Sequence, residues 1–216
     1  MNLVREWSRA PSVLLKAAMA VSGFLMAGWL TLHMLGNLLV FAGAAAMNAY
    51  GEKLRATGLL WPMRLLLFSA LLIHVVCAAL TTARAHAARP IAYRVAHKPV
   101  GSTLASRTMR IGGVIVLLFL VYHVAAIYGV AHPAFVPDDV HHNLIALLRM
   151  PVHAFVYLVA TALVALHLAH GLTSALISLG WANWRERSIR RAMRAWVVLV
   201  TLGFAAPCLA ISLAWV

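Results

Sequence analysis

The sequence predicts an all-α integral membrane protein, a bundle of five transmembrane helices. Of its 216 residues, 63% are hydrophobic and only 11% are charged, whereas a soluble domain of this size carries about 25% charged residues. Five apolar runs each reach the roughly 20 residues that a bilayer-spanning helix needs. We therefore expect residues 1–216 to form one multi-pass transmembrane domain in the cell (cytoplasmic) membrane.

The five predicted spans follow one another with short connections. Proline or clustered charge lies at most of their ends, and Pro62 and Pro151 stand where a first helical turn tolerates proline. Short connections predict that neighbouring helices run antiparallel. The predicted bounds are residues 16–43, 61–84, 108–131, 151–179 and 195–216.

Basic residues lie mainly on one side of this predicted bundle. Lys53, Arg55, Arg64 and Arg149 fall on the other side. Because Lys and Arg concentrate on the cytoplasmic side, we expect a cytoplasmic N-terminus and an external C-terminus. This bias also explains the net charge of +13 better than nucleic-acid binding, since no continuous basic strip is present. The fourteen residues of the cytoplasmic side are Arg5, Arg9, Lys16, Arg84, Arg89, Arg94, Lys98, Arg107, Arg110, Arg185, Arg187, Arg190, Arg191 and Arg194.

The acidic residues and the cysteines restrict the possible functions. None of the five acidic residues lies deep in a span, although proton pumps usually keep carboxylates inside the membrane. This argues against a carboxylate proton wire. Cys77 and Cys208 both lie inside apolar runs, where we expect buried thiols rather than a disulfide or a metal site.

Five histidines lie well inside the predicted spans. An ionisable residue within a membrane is a functional candidate by default. The six others, at 86, 97, 132, 141, 142 and 153, fall in loops or near the interfaces, where we expect solvated roles. The five inside the spans are His33, His74, His123, His167 and His170.

Four of these histidines form two pairs of matched depth. At about 1.5 Å rise per residue, His33 and His123 both lie roughly 5 Å outward of the middle of their spans. On the same rise, His74 and His167 lie about 2 to 3 Å inward. A low-spin haem takes two axial imidazoles from different helices at one depth. We predict an outer haem iron bound by His33 and His123, and an inner one bound by His74 and His167.

Both predicted haems should be b-type, because no Cys-x-x-Cys-His attachment motif is present. His170 lies three residues after His167 on the same helix face. It is either the alternative inner ligand or a hydrogen-bond donor to an inner haem propionate. Other residues near the inner ends are candidates for contacts with haem propionates. The serines could instead cap a helix turn, and the arginines could simply follow the cytoplasmic charge bias. These candidates are Ser22, Arg84, Ser106, Arg107 and Arg110.

Small residues lie near each candidate ligand and would let a flat ring approach. They serve plain helix packing equally well. They are Gly36 for His33, Ala70 and Ala78 for His74, Ala126 for His123 and Gly171 for His167.

Several segments around these histidines resemble the cytochrome b subunit of succinate dehydrogenases and fumarate reductases, of the type with one anchor polypeptide and two b haems. The resemblance covers roughly residues 16–180, and the fifth span matches only in being apolar. The segments are Lys16-Ala17-Ala18-Met19-Ala20 with Ser22-Gly23, His33-Met34-Leu35-Gly36-Asn37-Leu38, Asn48-Ala49-Tyr50 with Leu54-Arg55, His74, Ser106-Arg107-Thr108-Met109, Tyr122-His123, Leu166-His167-Leu168 with His170-Gly171, and Leu179-Gly180.

The resemblance implies the same two ligand pairs. It also implies a flavoprotein and an iron–sulfur protein as cytoplasmic partners, with electrons passing between them and a membrane quinone, commonly menaquinone. The dicarboxylate chemistry would lie on a partner chain. In some relatives, a glutamate two residues before the fourth-span ligand serves a proton path. This chain has Ala165 at that position, which argues against such a path here. Glu52 is a candidate acid of a quinone site, or else a solvated loop residue.

Two other functions share part of this pattern. A b561-like dihaem anchor of another quinone-linked oxidoreductase has paired histidines, but it leaves the Ser-Arg-Thr-Met and His-Met-Leu-Gly-Asn-Leu segments unexplained. A metal or proton transporter lined by histidines would bind no haem. The lack of buried carboxylates and of broken helices counts against that class.

Overall fold

The computed structural model describes residues 10–88, 104–130, 132, 134–183 and 186–216, and these residues contain α-helices, one 3₁₀ turn and no β-strand. Part of the charged and histidine pattern discussed above lies outside the described residues, namely Arg5, Glu6, Arg9, Arg89, Arg94, His97, Lys98 and Arg185.

Among the described residues, five long helices are apolar enough to cross a membrane, which confirms the predicted number of spans and a multi-pass membrane protein. The long helices are α1 (Ser12–Leu38, continued by a 3₁₀ turn over Leu39–Ala42), α3 (Leu60–Ala87), α4 (Leu104–Ile127), α6 (Pro151–Ser178) and α7 (Arg187–Ser212). The short helices α2 (Ala44–Ala56) and α5 (Val140–Leu148) lie in the connections after α1 and α4.

Some helix ends differ from the prediction. The third span was predicted to reach residue 131, but α4 ends at Ile127 and Gly129 follows with a φ of 81°, a conformation open to glycine but unfavourable for a helix. The fifth span begins eight residues before the predicted start, because its arginine-rich first turns are helical. Arginine is a good helix former, so the helix begins within the charged cluster rather than after it.

Helix α1 is central to the bundle, where it packs against α3, α6 and α7. Helix α6 packs in turn against α4 and α7. Among the described residues, α3 and α4 make little direct contact with each other. We call the end of the bundle with Lys16, Arg84 and Arg107 the inner end, after the predicted orientation, and the opposite end the outer end.

The outer end is closed by the two short helices, which the sequence analysis treated as loops. Asn48 of α2 donates from its amide to the Asp139 carboxylate (2.9 Å) and accepts from the backbone N–H of His141 (3.0 Å). Asp139 caps α5 by accepting from the backbone N–H of His142 (2.9 Å). That backbone bond, with the Asn48 amide, lowers the pKa of the Asp139 carboxyl. A buried apolar cluster lies beneath, formed by Val40, Met47, Leu148, Ala154, Cys208 and Ile211.

Candidate haem-binding site

The outer histidine pair is formed by α1 and α4. The ring centres of His33 and His123 are 5.8 Å apart, and the two rings are nearly perpendicular, at 78°. Aromatic rings surround the pair. Phe204 of α7 lies 5.9 Å from His33, and Phe119 lies 5.9 Å from His123.

The inner histidine pair is formed by α3 and α6. The ring centres of His74 and His167 are 6.1 Å apart, with 59° between the ring planes. A small cleft lies beside His167 between α4 and α6. The four histidines therefore come together in the two pairs that their depths predicted, each pair joining two different helices. The cleft is lined by Thr108, Met109, Gly112, Leu163, Leu166 and His167.

The separations within the pairs suit a shared metal ion. A metal–imidazole bond is about 2 Å long. The ring centre lies about 1 Å behind the bonding nitrogen, so two imidazoles on opposite sides of one iron have centres about 6 Å apart. The 5.8 and 6.1 Å found here agree with that value. Two imidazoles are a donor set that haem iron accepts, so these residues fit bis-histidine haem.

Hydrogen bonds at Nδ1 orient two of the candidate ligands. The Nδ1 of His74 lies 3.0 Å from the carbonyl oxygen of Met19, which can only accept, so the ring carries its proton there. The Nδ1 of His123 lies 3.1 Å from the Tyr157 hydroxyl. Such bonds leave Nε2 free to bind a metal, and histidine ligands usually have them.

The other inner histidine carries an unpartnered atom. The Nδ1 of His167 is buried and has no hydrogen-bond partner in the part of the chain that the structure describes. Buried polar side-chain atoms are mostly hydrogen-bonded in folded proteins. This orphaned nitrogen lies near Gly113 of α4, 3.8 Å from where a Cβ of that residue would be, and a buried polar atom without a partner is a second feature that fits a ligand site.

Two glycines let the inner histidines approach their neighbouring helices. A Cβ at Gly23 of α1 would lie 3.3 Å from Cε1 of His74, and a Cβ at Gly113 of α4 would lie 3.6 Å from Cε1 of His167. Glycine at 23 therefore gives the His74 ring room to reach the Met19 carbonyl one turn earlier. Gly36 and Gly171, which the sequence suggested as room for a flat ring, face other side chains. Tyr50 lies against Gly36, and Met109 lies against Gly171.

The remaining predicted residues occupy several places. Ser22 is 3% exposed; its hydroxyl donates to the Ala18 carbonyl (2.8 Å) and lies 3.4 Å from Nδ1 of His74. It thus lies beside the inner pair rather than at the helix end. Arg84 donates to the Ser12 hydroxyl (3.1 Å), joining α3 to α1.

The inner-end candidates on α4 and α6 and the outer candidate acid stay predictions. Ser106 and His170 are half-buried, while Arg107 is exposed on α4. Arg110 lies with its guanidinium 3.2 Å from Nε2 of His86. Glu52 is exposed on α2.

Sequence reasoning did not predict two side-chain contacts near the outer pair. Tyr157 bonds to His123, and the Tyr122 hydroxyl bonds to Nδ1 of His153, which was assigned a solvated interfacial role. The four-residue spacing of His153 and Tyr157, which places them on one helix face, is the signal that could have drawn attention to them.

One comparison with known proteins gives a family for this chain. A family model described as the succinate dehydrogenase/fumarate reductase transmembrane subunit matches residues 88–206, more than half of the chain. The matched stretch includes His123 and His167 and extends into α7. No curated protein and no solved structure matches the chain. With five apolar helices and a family match of this extent, the chain belongs to the succinate dehydrogenase/fumarate reductase transmembrane subunit family.

Proposed function

We propose that this chain is the dihaem cytochrome b anchor of its complex, linking an iron–sulfur subunit to a membrane quinone, for which menaquinone is our candidate. The proposal rests on two pairs of histidines, carried by four helices of one bundle. The ring centres are 5.8 Å apart in one pair and 6.1 Å apart in the other. When bound, haem b carries one electron at a time. The chain has no role in dicarboxylate chemistry in this proposal.

The residues of the chain have three tasks in this function. His33 and His123 would hold one haem iron, and His74 and His167 would hold the other. The backbone carbonyl of Met19 fixes the proton of His74 on Nδ1 and so directs Nε2 away from α1. The apolar bundle keeps water away, and a low local dielectric strengthens each of these polar contacts.

The basic inner end supports docking of the soluble partners. Arg107 is exposed there on α4, and Arg187 begins α7. In the proposed orientation, with the N-terminus in the cytoplasm and the C-terminus outside, this end faces the cytoplasm. The family match favours a flavoprotein and an iron–sulfur protein as the partners that bind it.

Spectroscopy of the purified complex tests this function. We expect a pyridine haemochrome assay to give two b haems per anchor chain, together with co-purifying flavin and iron–sulfur protein. His33→Ala or His123→Ala should remove the outer haem and spare the inner one. His74→Ala or His167→Ala should remove the inner haem.

The matched control for these variants is His170→Ala on the same helix face, which should keep both haems. Each spectrum must come from a complex whose subunits are all present. A wild-type complex without b haem would contradict the proposal. Loss of the inner haem in His170→Ala, with its retention in His167→Ala, would reassign the ligand on α6.

A further inference from the structure

Two side-chain hydrogen bonds join α4 and α6 near the outer histidine pair. The Tyr157 hydroxyl of α6 lies 3.1 Å from Nδ1 of His123 on α4. In the reverse direction, the Tyr122 hydroxyl of α4 bonds to Nδ1 of His153 on α6. The two α4 residues are neighbours in sequence, and the two α6 residues are one turn apart. Only the first bond involves a candidate ligand.

The direction of the His123–Tyr157 bond follows from ligation. A neutral imidazole that binds iron through Nε2 carries its proton on Nδ1. His123 is then the donor and the Tyr157 hydroxyl is the acceptor. Such a bond holds the ring at one rotation and makes the ligating nitrogen more basic.

The Tyr157 phenol is held firmly enough to position the ring of His123. Its ring meets Phe119 edge-on at 5.2 Å and packs against the outer apolar cluster. Tyr122 contacts it from the side, with ring centres 6.1 Å apart. Rings packed on several sides keep one rotamer in a dense interior, so the hydroxyl stays directed at His123.

We propose that Tyr157 is a positioning residue, which orients His123 and sets the midpoint potential of the outer haem through the Nδ1 hydrogen bond. This inference rests on the proposed function, since it requires the outer haem. A more basic ligand stabilises ferric iron. Removing the acceptor should therefore favour the ferrous form and raise the outer midpoint potential.

The test is a redox titration of the complete complex in wild-type, Tyr157→Phe and Tyr122→Phe forms. Both variants delete one hydroxyl from the same aromatic cluster, but only Tyr157→Phe removes a bond to His123. We expect both to keep two haems. In Tyr157→Phe the ferrous-to-ferric ratio at the outer haem should rise by about tenfold, which corresponds to about 59 mV for a one-electron couple. Tyr122→Phe should leave the potential near that of the wild type.

A second measurement on the wild-type complex covers the case in which Tyr157→Phe does not assemble. Redox-difference infrared spectra with ring-labelled tyrosine should show a phenol C–O band that shifts when the outer haem is oxidised, and the shift should persist in Tyr122→Phe. Two b haems with no tyrosine band shift would overturn the inference, as would equal potentials in wild type and Tyr157→Phe. A wild-type complex without b haem would instead refute the proposed function.

Discussion

Gly203 of α7 lies against Met34, the residue that follows the candidate ligand His33 on α1. A Cβ added there would overlap Sδ of Met34 and lie 2.7 Å from its Cγ. Met34 follows His33 on α1 and is only 2% exposed, so it has little room to move away. Overpacking of this kind costs about 1–3 kcal/mol, whereas replacing a mid-helix glycine by alanine gains about 1 kcal/mol of helix propensity. We therefore expect Gly203→Ala to lower stability by a net amount of up to about 2 kcal/mol.

The matched control is Gly28→Ala in α1, where nothing lies within 4 Å of the added Cβ. It gains the same helix propensity without the overlap, so the difference between the two variants isolates the overpacking. Cys77 and Cys208 are buried, so their labelling by a thiol reagent, read by mass spectrometry on the intact complex, reports opening of this chain. Faster labelling is expected in Gly203→Ala only. Equal labelling in both variants would refute the packing argument.

Two further outcomes are expected. Gly23→Val should displace the His74 ring, because a Cβ there already lies 3.3 Å from Cε1; the inner haem absorbance should fall while the outer haem remains, and an unchanged inner haem would contradict this. Asp139→Ala should weaken the outer cap at neutral pH, because the carboxylate accepts from the backbone N–H of His142 and has a lowered pKa in the folded protein. That stabilisation is present above the ordinary aspartate pKa and is lost as pH falls through the lowered pKa of Asp139 in the folded protein. The melting temperatures of the wild type and Asp139→Ala should therefore converge in acid and diverge towards neutral pH.

The sequence was sufficient to predict the five spans and which histidines lie close together, for a physical reason. Inside a bilayer, length and apolarity determine the helices, and the 1.5 Å rise turns a residue number into a depth. Matched depth selected His33 and His123 as a pair. Depth does not fix the rotation of a helix about its axis, and therefore the contact between Tyr157 and His123 could not be predicted.

The short helices were missed for a different reason. Helix α2 is weakly apolar and has no strong capping residue, since Gly43 precedes it. Its position depends on tertiary contacts, such as those of Asn48 with Asp139 and His141. Contacts between segments about 90 residues apart leave no periodic signal in the sequence, so α2 was read as a loop. Helix α5 has a local cap at Asp139 but is only nine residues long, too short to be read as a span.

The bond between His74 and the Met19 carbonyl has a consequence for mutational robustness. Every amino acid supplies a backbone carbonyl, so no single substitution at position 19 can delete this acceptor. The acceptor for His123 is a side-chain hydroxyl, and one codon change removes it. Random mutation can therefore adjust the outer pair at Tyr157, while the acceptor for His74 changes only when the α1 backbone itself moves.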